Sequence, residues 1–218
     1  MKFADKKKKK KNDEREEESN LITFINSALD KPPMRAMGMY GDVSEEKSAE
    51  AVYSLLALHE SGREVVKIDP DDEDSQLAEA FTPIDFYIST YGGSANEMFA
   101  VYDIVRYLRD YSPICTFGIG KVMSAGVLLL ASGTKGERRI GKYCRVMLHG
   151  VISGQHGHLS DVENEFEEAK STQKLYIDAL ASETNMTPKY IKKLVDKKTN
   201  VYLNAEEAVD LGIADIIV

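Results

Sequence analysis

Ser124 and His149 have the residue types and positions of a nucleophile and a general base. Ser124 follows an apolar, β-branched run (113–119) and precedes an apolar helix pattern, so we expect it at a strand-to-helix turn. His149 directly follows a second apolar strand pattern (144–148), twenty-five residues further along the chain. A serine hydroxyl activated by an imidazole attacks carbonyl carbons, which is the chemistry of acyl transfer.

The same two residues also have simpler interpretations. A serine at a helix start is commonly an N-cap, and a lone histidine after a strand is commonly a structural or surface residue. The G-x-S-x-G pattern of α/β hydrolases is incomplete, because Val122 occupies the position of its first glycine. Spacing alone leaves these interpretations and the nucleophile–base pair open.

The elements that must position these residues are predicted to be strands of a parallel sheet. Strand patterns at 37–43, 83–90, 113–119 and 144–148 alternate with helix patterns at 44–59, at 96–110 and after Met123. Near-continuous apolar strands are typical of a sheet that is covered on both faces. The carboxyl ends of parallel strands meet at one edge, where open α/β sheets bind ligands, so the sequence predicts an α/β fold with Ser124 and His149 at that edge.

The amino-acid composition and the net charge argue against several classes of function. The 218 residues suggest one domain, and a formal charge of −8 with a pI near 5.1 argues against a general nucleic-acid-binding protein. Cys115 and Cys144 both lie in apolar strand patterns, which favours buried, reduced thiols in a cytoplasmic protein. The longest apolar run (127–131) is too short to span a bilayer, and no signal-peptide pattern follows the basic start.

No pattern in the sequence indicates a metal or a cofactor. There is no C-x-x-C pair, and no third ligand at a recognisable spacing joins His156 and His158. The acidic stretch 67–82 lacks the regular spacing of a calcium loop, so we expect a solvated insertion there. We therefore predict a site without a metal or a cofactor.

Four segments occur in the order and at the spacing of one known family. They are Tyr-Gly-Gly-Ser (91–94), Val-Met-Ser-Ala-Gly (122–126), Arg-Val-Met-Leu-His (145–149) and Tyr-Leu-Asn-Ala-Glu-Glu-Ala (202–208). From about residue 37 to residue 218 the chain resembles the proteolytic subunits of ATP-dependent Clp proteases, the ClpP family of serine peptidases. The resemblance implies a ClpP/crotonase-like α/β fold with repeated β-β-α units and a protruding handle, made of a strand and a long helix.

The resemblance also assigns roles to particular residues. It implies that Ser124 is the nucleophile, that His149 is its base, and that the backbone N–H groups of Gly93 and Ala125 form the oxyanion hole. The third catalytic position, usually aspartate, is four residues before the helix cap at Asn204 and is Asn200 in this chain. Asparagine orients an imidazole but supplies no charge, so Asp196, one helical turn earlier, is the alternative.

The implied activity is a serine endopeptidase that degrades unfolded polypeptides inside a chamber. The family forms heptameric rings that stack through their handles into a tetradecamer, and an AAA+ unfoldase of the ClpX, ClpA or ClpC type feeds the chamber. The chain contains no G-x-x-x-x-G-K-[ST] loop, so we expect any ATP chemistry to belong to that partner.

Two other functions remain as alternatives. Asn200 raises the hypothesis of a weak or inactive ring subunit that assembles with an active ClpP paralogue. A crotonase-like acyl-CoA enzyme is a third hypothesis, because that fold also directs two backbone N–H groups at a thioester oxygen.

The predicted domain organisation has three parts. A charged, disordered tail (1–20) precedes a segment at the chamber entrance (21–36), and the peptidase domain (37–218) follows. That domain includes the acidic insertion (67–82) and the handle (150–183), whose helix is predicted to begin with a capping box at Ser160. His59 is predicted to be a surface residue near a helix end.

Overall fold

The computed structural model describes residues 34–72, 74–154, 156–196 and 199–218. Arg35–Val218 form one folded unit. The predicted charged tail (1–20) and nearly all of the predicted entrance segment (21–36) lie outside the described residues.

The described residues form nine strands and six helices. The strands are β1 (Ala36–Val43), β2 (Arg63–Lys67), β3 (Leu77–Phe81), β4 (Ile84–Gly93), β5 (Ile114–Met123), β6 (Arg139–Ile140), β7 (Arg145–Leu148), β8 (Val201–Leu203) and β9 (Ile216–Ile217). The helices are α1 (Glu45–Ser61), α2 (Ala95–Leu108), α3 (Ala125–Ala131), α4 (Leu159–Glu183), α5 (Pro188–Val195) and α6 (Ala205–Asp210).

The main sheet is mostly parallel, which confirms the predicted fold class. Its strand order is β1-β4-β5-β6-β9, and β7 also pairs with β5. One edge of β5 pairs with β4. The other edge pairs first with β6, at Phe117–Gly118, and then with β7, at Lys121–Met123. Strands β4, β5 and β7 therefore end close together at one edge of the sheet, while β8 runs antiparallel to β7 beyond them.

Helix α3 crosses the middle of the core. Every residue from Ala125 to Ala131 is buried, as the uniformly apolar sequence predicts. Gly126 allows the helix to pack tightly on β4, because a Cβ atom at this residue would lie 2.4 Å from Cγ2 of Thr90. This close approach fixes the position of the residue that precedes the helix, Ser124.

The acidic insertion belongs to an antiparallel hairpin formed by β2 and β3. The strands pair from Arg63–Phe81 to Lys67–Leu77, and backbone N–H groups of the turn donate to the aspartate side chains of Asp69 and Asp72. The sequence analysis predicted only a solvated insertion here. The strands were missed because charged and apolar residues mix along both and leave no clear alternation.

Two local predictions are wrong. Helix α4 begins at Leu159 after His158, so Ser160 lies within the first turn and forms no capping box. His59 is buried rather than on the surface; its Nδ1 lies 2.8 Å from Ser112 Oγ and its ring stacks on Phe81. The hairpin base covers the end of α1, and that long-range contact is not visible in the local sequence.

The predictions on two helix caps and on both cysteines are confirmed. Thr187 caps α5, and Asn204 forms a capping box with Glu207 at the start of α6. Cys115 and Cys144 are buried and free, and burial raises the pKa of the Cys144 thiol to about 11. None of the six helices in the described ranges combines the length and the apolar character that crossing a bilayer requires.

Candidate active site

Ser124 occupies a strained turn between β5 and α3. Its φ of 54° is the only positive φ of a non-glycine residue in the described ranges. A non-glycine residue with such a backbone conformation destabilises the fold by about 1–3 kcal/mol, which surrounding contacts must offset. One of these contacts is the hydrogen bond from the Ser124 N–H to the carbonyl oxygen of Met147 in β7, at 2.8 Å. The turn is therefore anchored to the strand that leads to His149.

Two glycines at the end of β4 make room for this turn. A Cβ atom at Gly92, whose φ is +103°, would lie 2.5 Å from the Ser124 Cβ. A Cβ atom at Gly93 would lie 2.3 Å from the carbonyl oxygen of Val43 in β1. The side chain of Thr90 accepts a hydrogen bond from the Gly92 N–H at 2.9 Å and holds the bend. The backbone of β4 therefore approaches the serine with no side chain between them.

The four residues predicted for the nucleophile, the base and the oxyanion hole lie around one pocket. Ser124, His149, Gly93 and Ala125 line a cavity of about 340 Å³. Ala125 is the first residue of α3, where backbone N–H groups have no partner within the helix. The remaining lining is largely apolar and includes Met98, Val151, Ile152 and Tyr176.

The orientation of His149 identifies which ring nitrogen is available as a base. Its Nδ1 lies 2.5 Å from the carbonyl oxygen of Gly150. Because a carbonyl only accepts, Nδ1 must carry the proton, and Nε2 of a neutral ring keeps its lone pair. Within the described ranges the Ser124 side chain has no hydrogen bond, so the two groups share a pocket without a direct bond.

The two candidates for the third catalytic position lie beside the histidine. Asp196 and Asn200 line an adjoining cavity of about 530 Å³ together with His149. Neither is hydrogen-bonded to the imidazole; the Asp196 carboxylate pairs with Lys192 Nζ at 2.9 Å. Residues 197 and 198, which connect the two candidates, lie outside the described residues.

Tyr176 was not among the predicted site residues. Its hydroxyl donates a hydrogen bond to the Ser124 carbonyl oxygen at 3.3 Å, and its ring lines the pocket. Burial raises the pKa of Tyr176 well above its usual range, so the hydroxyl remains a donor. The contact joins residues 52 positions apart in the sequence, so no local pattern predicts it.

Comparison with known proteins gives the family. The Clp protease family model matches residues 76–218. The chain belongs to the Clp protease family. The ATP-dependent Clp protease proteolytic subunit 2 of Corynebacterium jeikeium is 34% identical over 177 residues, which cover 80% of this chain and 75% of that protein. Proteolytic subunit 3 of Nocardia farcinica is 31% identical over 176 residues, which cover 79% of this chain and 70% of that protein.

Membership of the Clp protease family gives the chain a Clp protease-type function, and Clp proteases are hydrolases. The mixed α/β fold with its mostly parallel sheet is consistent with the fold of this family. Among the described residues, no group of three or more histidine, cysteine, aspartate or glutamate side chains is arranged to hold a metal ion.

Proposed function

We propose that this member of the Clp protease family is a serine endopeptidase that cleaves unfolded polypeptides through Ser124 and His149. The observation that supports the proposal is the common pocket, in which a strained serine, an imidazole with a free Nε2 and two close backbone segments face one space. No cofactor is needed for this chemistry.

The reaction is acyl transfer in two steps. Ser124 Oγ attacks the carbonyl carbon of a peptide bond while Nε2 of His149 takes the hydroxyl proton. The imidazolium then gives this proton to the leaving amine, and an acyl ester on Ser124 remains. Water, deprotonated by the same imidazole, attacks the ester and releases the acid product and the free serine. Catalytic hydrogen bonds often form only with substrate bound, so a direct bond between Ser124 and His149 is not required beforehand.

The oxyanion of each tetrahedral intermediate would accept hydrogen bonds from the Gly93 and Ala125 N–H groups. The position of Ala125 at the start of α3 supports this role, because the helix start carries a partial positive charge. Removing one such donor costs about 10²–10³ in kcat in a well-studied serine peptidase.

Either Asp196 or Asn200 would complete the catalytic group by orienting His149. Both line the cavity next to the histidine, and a carboxylate there would stabilise the imidazolium that forms during the reaction. Asp196 would have to leave Lys192 to do so, whereas Asn200 has no competing side-chain bond within the described ranges.

Assembly into stacked heptameric rings, fed by an AAA+ unfoldase, completes the proposal. Exposed apolar side chains on the outer half of α4 support it, since Leu159 is 74% exposed and Phe166 is 59% exposed. Such side chains on a charged helix mark a surface that a second chain can cover.

A serine-directed fluorophosphonate tests the peptidase directly. We expect one adduct, on Ser124 by mass mapping, together with hydrolysis of a fluorogenic peptide that Ser124→Ala abolishes. Ser160→Ala, a change at an exposed serine outside the pocket, is the matched control and should react like the wild type. Equal hydrolysis by wild type and Ser124→Ala, with no adduct on Ser124, would refute the proposal.

A specific observation also favours a second candidate function, a weak ring subunit that works with an active paralogue. His149 donates to a backbone carbonyl instead of a carboxylate, and the third catalytic position is Asn200. This candidate predicts fluorophosphonate labelling of Ser124 only in mixed rings. Labelling in the purified homomer excludes it.

A further inference from the structure

Lys121 places a positive charge behind one wall of the candidate site. It lies in β5, three residues before Ser124, and is partly exposed. Its Nζ atom is 4.5 Å from the centre of the Tyr91 ring. Tyr91, which is 63% exposed, lines the pocket that contains Ser124 and His149. The ammonium group therefore contacts a side chain of the pocket wall, and the cation–π contact holds both in place.

The sheet register explains why these two side chains meet. Thr90 and Val122 are register partners on β4 and β5, and both are fully buried on the face covered by helices. Side chains alternate along a strand, so Tyr91 and Lys121 both point to the opposite face. The contact is thus fixed by the backbone and does not depend on a flexible loop.

Lys121 and its neighbour on the next strand are both cations without a counter-ion. Lys121 is the register partner of Arg145 on the parallel strand β7. Neither side chain forms an ion pair with any residue in the described ranges. Because the protein as a whole carries a formal charge of −8, the two cations are a local feature and not part of a basic surface.

We propose that Lys121, held by Tyr91, is a specificity-determining residue that selects substrates with an acidic side chain close to the scissile bond. The proposal rests on the peptidase function proposed above and adds a substrate class to it. The carboxylate of a bound peptide would lie beside the Tyr91–Lys121 pair, where the ammonium group attracts it.

The test measures how well the assembled protein distinguishes acidic from basic peptides. Fluorogenic peptides with one neutral sequence receive glutamate or lysine at each of three positions on either side of the cleaved bond. At one or more positions we expect the wild type to favour glutamate over lysine by about three- to tenfold in kcat/KM, and the preference to fall at high salt. Lys121→Gln should remove the preference, and Lys121→Glu should reverse it.

Lys142 provides a matched control. It also lies over a tyrosine, with Nζ 5.9 Å from the Tyr143 ring centre, but neither residue lines the pocket. Lys142→Gln removes the same charge and should leave the glutamate-to-lysine ratio at the wild-type value. At the pocket, Tyr91→Phe should preserve the ratio because the ring remains, whereas Tyr91→Leu should lower it.

The outcomes separate this inference from the peptidase proposal. Cleavage of the neutral peptide that depends on Ser124, combined with a wild-type ratio near one at every position, overturns the role of Lys121 alone. The role is also refuted if Lys142→Gln lowers the ratio as much as Lys121→Gln does. If no peptide is cleaved and no fluorophosphonate adduct forms on Ser124, both proposals fail.

Discussion

At Ser124 the backbone conformation indicates function more strongly than the residue type does. A serine that only capped α3 would have an extended backbone and would accept a hydrogen bond from the helix, as Ser94 does at the start of α2. Ser124 has a positive φ and makes no capping bond. Strain of this kind persists where the surrounding structure enforces it, and it is concentrated at functional sites.

Gly92→Ala tests the close approach that permits this strain. The new methyl group would lie 2.5 Å from the Ser124 Cβ, on a residue whose φ is +103°. We expect the fluorophosphonate labelling rate of Ser124 to fall at least about a hundredfold, and the free energy of unfolding to fall by about 1–3 kcal/mol. Gly154→Ala is the control, because its Cβ would meet nothing within 4 Å. An unchanged labelling rate in Gly92→Ala would contradict the geometry of the turn.

Tyr176→Phe tests the hydrogen bond that supports Ser124 from α4. The change deletes one hydroxyl and keeps the ring that lines the pocket. A lost neutral hydrogen bond is worth about 1 kcal/mol, so we expect kcat to fall about three- to tenfold with KM nearly unchanged. Tyr143→Phe, at a tyrosine outside the pocket, should not change either constant. A rise in KM alone would assign Tyr176 to substrate binding instead of to positioning.

Two reciprocal substitutions decide which residue orients His149. If Asp196 is the partner, Asp196→Asn should lower kcat strongly, by as much as about 10⁴ by analogy with another serine peptidase, and Asn200→Asp should have a small effect. If Asn200 is the partner, Asn200→Asp should raise kcat because a carboxylate stabilises the imidazolium. Lys192→Gln, which frees the Asp196 carboxylate, should raise kcat only in the first case.

At the scale of elements, the apolar patterns predicted most of the secondary structure. Strands β1, β4 and β5 and helices α1 and α2 were predicted because long buried elements carry strong periodicity. The hairpin of β2 and β3 was not, because its residues are largely exposed and no burial pattern constrains them. The burial of His59 was missed for a related reason, since it depends on Phe81 at the base of that hairpin.

The candidate site was predictable in part, because two of the strands that position it have clear apolar patterns. Strand order places the residues after β5 and β7 together, and the apolar patterns of those strands already suggested a parallel pair. The roles of Gly93 and Ala125 came only from the family resemblance, because a backbone N–H leaves no trace in a side-chain pattern. Tyr176 and Lys121 were not assigned to the site, since their contacts depend on packing angles and register that one sequence does not encode locally.

An ion pair between the residues that precede β6 and β9 predicts how the stability of the protein depends on pH. Arg138 is buried beside Asp215, and its Nε donates to the carboxylate at 2.8 Å. Burial alone would raise the pKa of Asp215, but the hydrogen bonds from Arg138 outweigh it and lower this pKa. The stabilisation that the Asp215 carboxylate gives the folded state is therefore complete above the unfolded-state pKa of about 3.9. It is lost as the pH falls through the lower folded-state pKa.

Asp215→Asn should consequently destabilise the protein at pH 7 and have a smaller effect below about pH 3. Urea unfolding at both pH values measures the difference. Asp110→Asn is the control, because Asp110 forms no ion pair within the described ranges and should show little change at either pH. An equal loss at both pH values would mean that the charge of Asp215 contributes nothing.

At the scale of the whole molecule, α4 has two different halves. Tyr176 and Leu180 are buried against the core, whereas Leu159 and Phe166 are exposed. The apolar side chains of α4 therefore pack on the core at one end of the helix, and at the other end they are available to another chain. The hydrogen bond from Tyr176 to Ser124 joins this helix to the proposed nucleophile.

Phe166→Glu tests the exposed half. We expect the stacked rings to separate into single rings, because a charge replaces an apolar side chain at the proposed contact. Sedimentation velocity measures the change. Lys174→Ser changes an exposed polar side chain of the same helix and should leave the assembly unchanged. Intact stacked rings in Phe166→Glu would show that this part of α4 is not the contact.

The left-handed turn at Ser124 also restricts which side chains this position can accept. A threonine or valine at position 124 would be strained, because β-branched residues rarely adopt a positive φ. Alanine keeps the Cβ atom, whereas glycine would relax the turn. If Ser124 is the nucleophile, as proposed, alanine is therefore the better substitution for trapping an uncleaved polypeptide.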